Sequence, residues 1–252
     1  MSDIIAILRD NWLLLLVGQY PNGPLGGVAC TLILSLLGIG LAFPMGVLVA
    51  LARLSRWRAL NWLATALVYG ARGIPLLMII LWVYFLVPVL IGRNVTGFTT
   101  MVVTLVLYES AFLAEIVRAG ILALPKGQME AARALGNGYA GAMWHVILPQ
   151  AIYNMMPSIL SQFVSTIKET TLGYVINVPE LTFAASQINN QLLTKPFQVF
   201  FILAVLYFII CWSLTRLADR LERRIAARRS GAGKPRAAAP EAIVSPTGGQ
   251  LS

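Results

Sequence analysis

Long apolar runs alternate with short polar breaks along the chain. Five runs approach or reach the roughly 20 residues that cross about 30 Å of hydrocarbon as a helix. They fall at 28–51, 75–91, 99–117, 151–167 and 197–217. The second run admits two readings: one long helix beginning near Asn61, or a span that starts with Pro75 in its first turn. Near the N-terminus, "NWLLLLVG" is apolar but too short to span, and Pro21, Asn22, Gly23 and Pro24 break it. It is expected to lie on, or pack at, the outer surface. "TRLADRLERRIAARR" is expected to prolong the last helix, and the Gly-, Pro-, Ala- and Ser-rich stretch from Ser230 reads as disordered. The expected organisation is an N-terminal segment 1–27, a membrane domain 28–217 with an inner loop at 119–149, a basic helix end 218–229 and a tail 230–252.

Composition supports an all-α membrane protein over a soluble enzyme. The 252 residues are 58% hydrophobic and 12% charged, with mean hydropathy +0.76; a soluble domain carries about twice that charge. "MSDIIAILRD" lacks a basic n-region and a small-residue cleavage site, so no cleavable signal is expected. The net charge of +9 would suit nucleic acid, but eight of the nineteen cations follow Thr215 and most others flank apolar runs. That distribution is a topology signal, and no nucleic-acid partner is expected. Arg53, Arg56 and Arg58, then Arg118, Lys126 and Arg133, then the tail cations fall on one side. Arg9, Arg93 and Lys195 fall on the other. The positive-inside rule makes the first side cytoplasmic, placing the N-terminus outside and the C-terminus inside, with anionic headgroups suited to the tail. Cys30 and Cys211 lie in different runs and carry no disulfide or metal pattern.

Polar residues inside the apolar runs point to function. Asn154, Ser158, Ser161, Gln162, Ser165 and Glu169 recur at helical spacing, which aligns them on one face of the fourth span. Such a stripe does not face lipid. It bonds to a neighbouring helix or lines a watery path, and its length and its end at Lys168–Glu169 favour the path. Glu109 lies near the middle of the third span, where an ionised carboxylate costs at least about 2.5–3.5 kcal/mol unless solvated or paired. It is a candidate for function or for structural pairing. Glu115 and Arg118, three apart, read as a local structural ion pair. Arg72, beside Gly73 and Pro75, sits at the cytoplasmic mouth if the second span starts at Pro75, and deeper, with a partner, if that span is one long helix. In the first span, Gly38, Ala42, Gly46 and Ala50 form a small-residue ridge for packing within the chain or for a subunit interface.

The inner loop holds "GQMEAARALG", a short helix stopped by Gly136 and Gly138. Ala131, Ala132 and Ala134 would let another surface come close. Glu130-Ala131-Ala132, Gly136 and Leu148-Pro149 resemble the EAA loop of ABC importer permeases, with Val146 where that family has Ile. "RGIPLL", "AEIVRAGI", "LPKGQMEAARALG", "VILPQA" and "IKETTLGYVI" extend the resemblance to the polar amino acid permeases, covering nearly the whole chain up to about Arg224. The resemblance implies a type I importer permease (MetI-like) fold with a five-helix core, and a coupling helix seated on a cytoplasmic ATPase subunit. It also implies a second permease subunit, identical or similar, and an extracytoplasmic solute-binding protein meeting the side of 171–196. ATP and magnesium would be bound by the ATPase, with no cofactor in this chain. "RGIPLLMIILWVYFLVP" and "YESAFLAEI" look closest to the glutamate and aspartate permeases.

Two other classes fit less well. A membrane enzyme would need a nucleophile or metal set, but the single His145 stands without HExxH or GxSxG. "GAGKP" lacks the spacing of a phosphate loop. A passive channel would explain the polar stripe but not the EAA block.

Overall fold

The computed structural model describes residues 2–232. Helices dominate: α1 Ser2–Val17, α2 Gly27–Arg53, α3 Arg58–Gly73, α4 Leu76–Ile91, α5 Gly97–Leu122, α6 Lys126–Ala134, α7 Tyr139–Ala142, α8 Leu148–Glu169, α9 Leu181–Leu192 and α10 Pro196–Ala232. A π turn, Met143–Ile147, joins α7 to α8, and a 3-10 stretch, Thr170–Ile176, follows α8. Among the described residues, β-structure amounts to two isolated bridges. The predicted tail begins inside α10, which runs to Ala232; 233–252 lie outside the described residues.

Three helical stretches are long and apolar enough to cross a membrane alone: Gly27–Arg53, Gly97–Leu122 and Pro196–Ile225. They contain the first, third and fifth predicted spans. The second span is half of a broken pair, because α3 and α4 meet at a bend of 102°. That excludes one long helix. Pro75 holds the N-cap of α4, one position before the expected first turn, and Ile74 before it is extended, as a residue preceding proline prefers. The fourth predicted span lies within α8, whose polar stripe lowers its hydropathy.

The α2–α5 pair is the spine. Gly38, Ala42, Gly46 and Ala50 are all buried, so the ridge packs within the chain. A Cβ added at Gly46 would lie 2.8 Å from Leu113 Cβ and 3.1 Å from the Ser110 carbonyl oxygen. Only glycine lets the two backbones approach that closely. At one end of this spine Arg53 pairs with Glu115, which also accepts from Arg118 Nη2 at 2.6 Å. Asn61 of α3 donates to the Arg53 carbonyl. The expected Glu115–Arg118 pair is therefore part of a three-residue clamp that ties α2 and α3 to α5.

α3 packs its Val68 with Ala114 and Val117, while α4 packs Leu76 and Ile80 with Met101 and Leu105. The broken pair thus follows α5 along its length. α1 is longer than the short apolar segment expected: over Ser2–Val17, Ile4, Ile7, Leu14 and Leu15 share one helical face. That face packs against Leu181, Ile188 and Val199 of α9 and α10. The region 171–196, for which the sequence pattern predicted no helix, holds α9, whose N-cap Glu180 accepts from the backbone N–H groups of Thr182 and Phe183.

Candidate coupling and translocation site

α6 stands out from the helical bundle. Its C-terminus closes with the Asn137 N–H on the Ala132 carbonyl at 3.3 Å and the Gly136 N–H on the Arg133 carbonyl at 3.0 Å. This is a Schellman closure, and Gly136 at φ +87° supplies the left-handed residue it requires. No atom lies near enough to forbid a side chain there, so glycine is demanded by conformation rather than space. Lys126, Glu130, Ala131, Arg133, Ala134 and Leu135 are exposed, and Leu135 is 84% so. Ala132 is only 5% exposed. Of the three alanines expected to receive another surface, Ala131 and Ala134 are available, whereas Ala132 faces this chain's own interior.

From Tyr139 to Glu169 the chain is helical without interruption through α7, the π turn and α8. The widened turn has a local cause. Pro149 has no N–H to give the His145 carbonyl, and its ring would crowd the preceding turn. The helix relaxes by lengthening its bonds, and the Leu148 N–H reaches back to the Met143 carbonyl. Leu148 is buried beside Ile147 and Ala151 in the core that also holds Val117 and Met143.

The stripe on α8 divides. Gln162 Nε2 donates to Glu109 at 2.9 Å, and Thr166 Oγ1 donates to the other Glu109 oxygen at 2.7 Å. Glu109 is fully buried, which makes it a cross-helix acceptor between α5 and α8. The Glu169 carboxyl lies beside it, and one Glu169 oxygen is buried without a hydrogen-bond partner among the described residues. Asn154 and Ser165 are half-buried, while Ser158 and Ser161 stay exposed on the uncovered side of α8. Lys168 and Glu169 form no ion pair: Lys168 is exposed and within electrostatic range of Cys211, on the side away from Glu109. Neighbours in a helix sequence point about 100° apart, and the two charges serve different surroundings.

Arg72 takes the deeper of its expected settings, with a partner, although α3 and α4 are not one long helix. It sits at the break between α3 and α4, its guanidinium 5.1 Å over the Phe112 ring, level with the middle of α5. Tyr108 lies within electrostatic range of Arg72, Glu109 and Glu169. The break at Gly73 and Pro75 therefore delivers a cation to the depth of the carboxyl cluster. Broken helices of this kind are tolerated at membrane depth where they line a cavity. Sequence reasoning missed Thr166, Arg53 and Glu180. The first was visible as the residue four after Gln162, and Glu180 as an acidic residue immediately before a helical apolar pattern.

Comparison with known proteins places this arrangement. Residues 42–227 match the model of the binding-protein-dependent transport system inner membrane component family. A probable glutamine ABC transporter permease of Bacillus subtilis is 36% identical over 88% of this chain and 97% of its own length. A glutamate transport system permease of Corynebacterium glutamicum is 36% identical over 82% and 76%, and a glutamate/aspartate import permease of Escherichia coli is 33% identical over 80% and 93%. Among solved structures, an amino acid ABC transporter crystallised with histidines superposes with a TM-score of 0.76 at 32% identity, over 89% of this chain and 99% of that one. The inward-facing methionine ABC transporter, at 22% identity and a TM-score of 0.64, shares the fold.

Proposed function

Because the chain belongs to the family of binding-protein-dependent transport system inner membrane components, we propose that it is the permease subunit of an ATP-driven amino acid importer of the bacterial inner membrane. Its partners on this reading are ATPase subunits, a second permease and an extracytoplasmic binding protein. The carrying observation is α6, exposed and closed by Gly136, a few residues before the helical run from Tyr139 that reaches the Glu109 cluster. ATP-driven closure of the ATPase pair would move α6. The run through Leu148 and Pro149 would carry that motion to α8, opening the path to solute on the opposite side.

The cargo we propose is glutamate and aspartate. The sequence blocks favour it, and the Arg72 cation, at the depth of the Glu109 cluster, offers a partner for a carboxylate. The open oxygen of Glu169 supplies an acceptor for the ammonium group. Ser158 and Ser161, exposed on α8, would line the path. The test is uptake of labelled glutamate into vesicles holding the complete complex, with and without ATP. ATP-dependent uptake suppressed by aspartate is the expected result. Suppression only by arginine, histidine or glutamine would move the cargo within the class, and uptake indifferent to ATP would overturn the reading.

A further inference from the structure

We propose that a membrane phospholipid occupies the groove between α2 and the start of α8, one acyl chain along α2 and its phosphate against Arg56. The groove holds about 610 Å³, walled by Phe43, Pro44 and Leu48 on one side and Leu148 and Ile152 on the other. Trp144 closes it, and the same ring lines an adjoining hollow of about 400 Å³ together with Ser55 and Tyr139. Arg56 lies 5.8 Å over the Tyr139 ring and has no ion-pair partner among the described residues.

The order along the groove is that of one bilayer leaflet: apolar walls, then Trp and Tyr, then a cation. Its length fits too. From Phe43 to Arg53 the helix rises about 15 Å at about 1.5 Å per residue, half of the roughly 30 Å hydrocarbon core. A protein partner would not require a groove of leaflet length with an unpaired cation at its polar end; a phospholipid supplies both the chain and the counter-charge. The occupant would lie against the π turn, where the helical run from α7 to α8 is most easily deformed. A lipid there braces that turn.

The proposal requires only that the chain lies in a membrane, so its test leaves the transport reading aside. A variant keeping Trp144 alone (Trp12, Trp57, Trp62, Trp82 and Trp212 changed to Phe) is purified with its co-purifying subunits. It is placed in bilayers containing increasing fractions of tail-brominated phosphatidylcholine or phosphatidylglycerol. A companion keeping only Trp82, which is 58% exposed, reports the bulk lipid shell. Half-quenching of Trp144 is expected at a brominated fraction at least about threefold lower than for Trp82, with either headgroup. Arg56→Gln and Leu48→Phe should each return Trp144 to the Trp82 curve; Arg56 is exposed, so its exchange does not threaten the fold. Identical curves for Trp144 and Trp82, or a Trp144 curve indifferent to both substitutions, would overturn the proposal. So would an unquenched Trp144 together with Leu48→Cys cross-links between two copies, which would identify a protein occupant.

Discussion

Cutting the bond between α5 and α8 at Glu109 should cost unequal amounts through its two donors. Gln162 Nε2 has Glu109 as its only described acceptor, at 2.9 Å. Thr166 Oγ1 has a reserve: besides Glu109 at 2.7 Å it reaches the Gln162 carbonyl at 3.0 Å. A hydroxyl carries one hydrogen. When Glu109 is removed, Thr166 turns to the backbone oxygen and loses little, while the half-buried Gln162 amide is left without its acceptor. Side-chain hydrogen bonds between membrane helices average about 0.6 kcal/mol and reach about 1.7. The Glu109–Gln162 pair, with an acidic acceptor and no substitute, belongs near the upper figure, and Glu109–Thr166 at or below the average. Double-mutant cycles with Glu109→Ala, Gln162→Ala and Thr166→Val, read by unfolding the purified chain in mixed micelles, measure both couplings. A coupling of about 1.5 kcal/mol for the first and about 0.5 for the second is expected. Equal couplings, or a larger value for Thr166, would refute the argument from spare acceptors.

At Gly46, exchange to Val should destabilise by about 1–3 kcal/mol through overpacking, whereas Gly40→Val, with nothing within 4 Å, should be close to neutral in the same unfolding assay. On α6, Ala131→Trp should leave protein levels unchanged while abolishing ATP-coupled uptake; Ala132→Trp should lower the amount of folded protein itself, measured by size exclusion of the membrane extract. Glu180 lies in the connection between α8 and α10, where burial lifts its carboxyl from 4.5 to about 7 against the opposing pull of the Thr182 and Phe183 N–H groups. The folded form therefore holds that proton more tightly than the unfolded chain. The Glu180 contribution to stability is fully present below about pH 4.5 and is lost as pH rises through about 7. Amide exchange in α9, corrected for intrinsic rates, should show stronger protection at pH 5.5 than at pH 8, and Glu180→Gln should flatten the difference. In the Arg53 clamp, Glu115→Ala should destabilise more than Arg118→Ala, by about 2 kcal/mol, because it leaves the buried Arg53 guanidinium unpaired; thermal denaturation of the two variants gives the order.

What could be read from the residues was what short-range chemistry determines. The ridge from Gly38 to Ala50 was legible because four small residues at helical spacing serve mainly to admit a neighbour. The end of α6 was legible because Gly136 is the residue a left-handed closure needs. The helix break before α4 could be placed at Pro75, but its angle could not, and with the angle went the depth of Arg72. That depth depends on Val68 and Ile80 meeting different halves of α5, which is a tertiary fact. α9 was passed over because its mean polarity resembles a loop; its apolar residues at 181, 184, 185 and 188 nonetheless keep helical spacing, and Glu180 caps them. The inward turn of Ala132 depends on how α6 rests on the π turn, which no local pattern records.

The π turn connects these observations into one mechanical argument. α8 is fixed to α5 by Glu109, and α6 is fixed to the bundle by Ala132 and Met129. From Tyr139 to the α5 anchor the helical run would be a stiff rod if it were regular, since every turn would be closed by bonds to the fourth residue back. Pro149 removes one of those bonds, and the Leu148 N–H spans five residues instead. A push on the proposed coupling helix must pass through this weaker turn before it reaches Gln162. The stiffness of the turn then sets how much of the motion would reach the Glu109 cluster, and Trp144 within the turn and Ile152 just beyond it both face the groove beside α2. On the proposed reading, a lipid in that groove would bear on the transmission through Trp144 and Ile152.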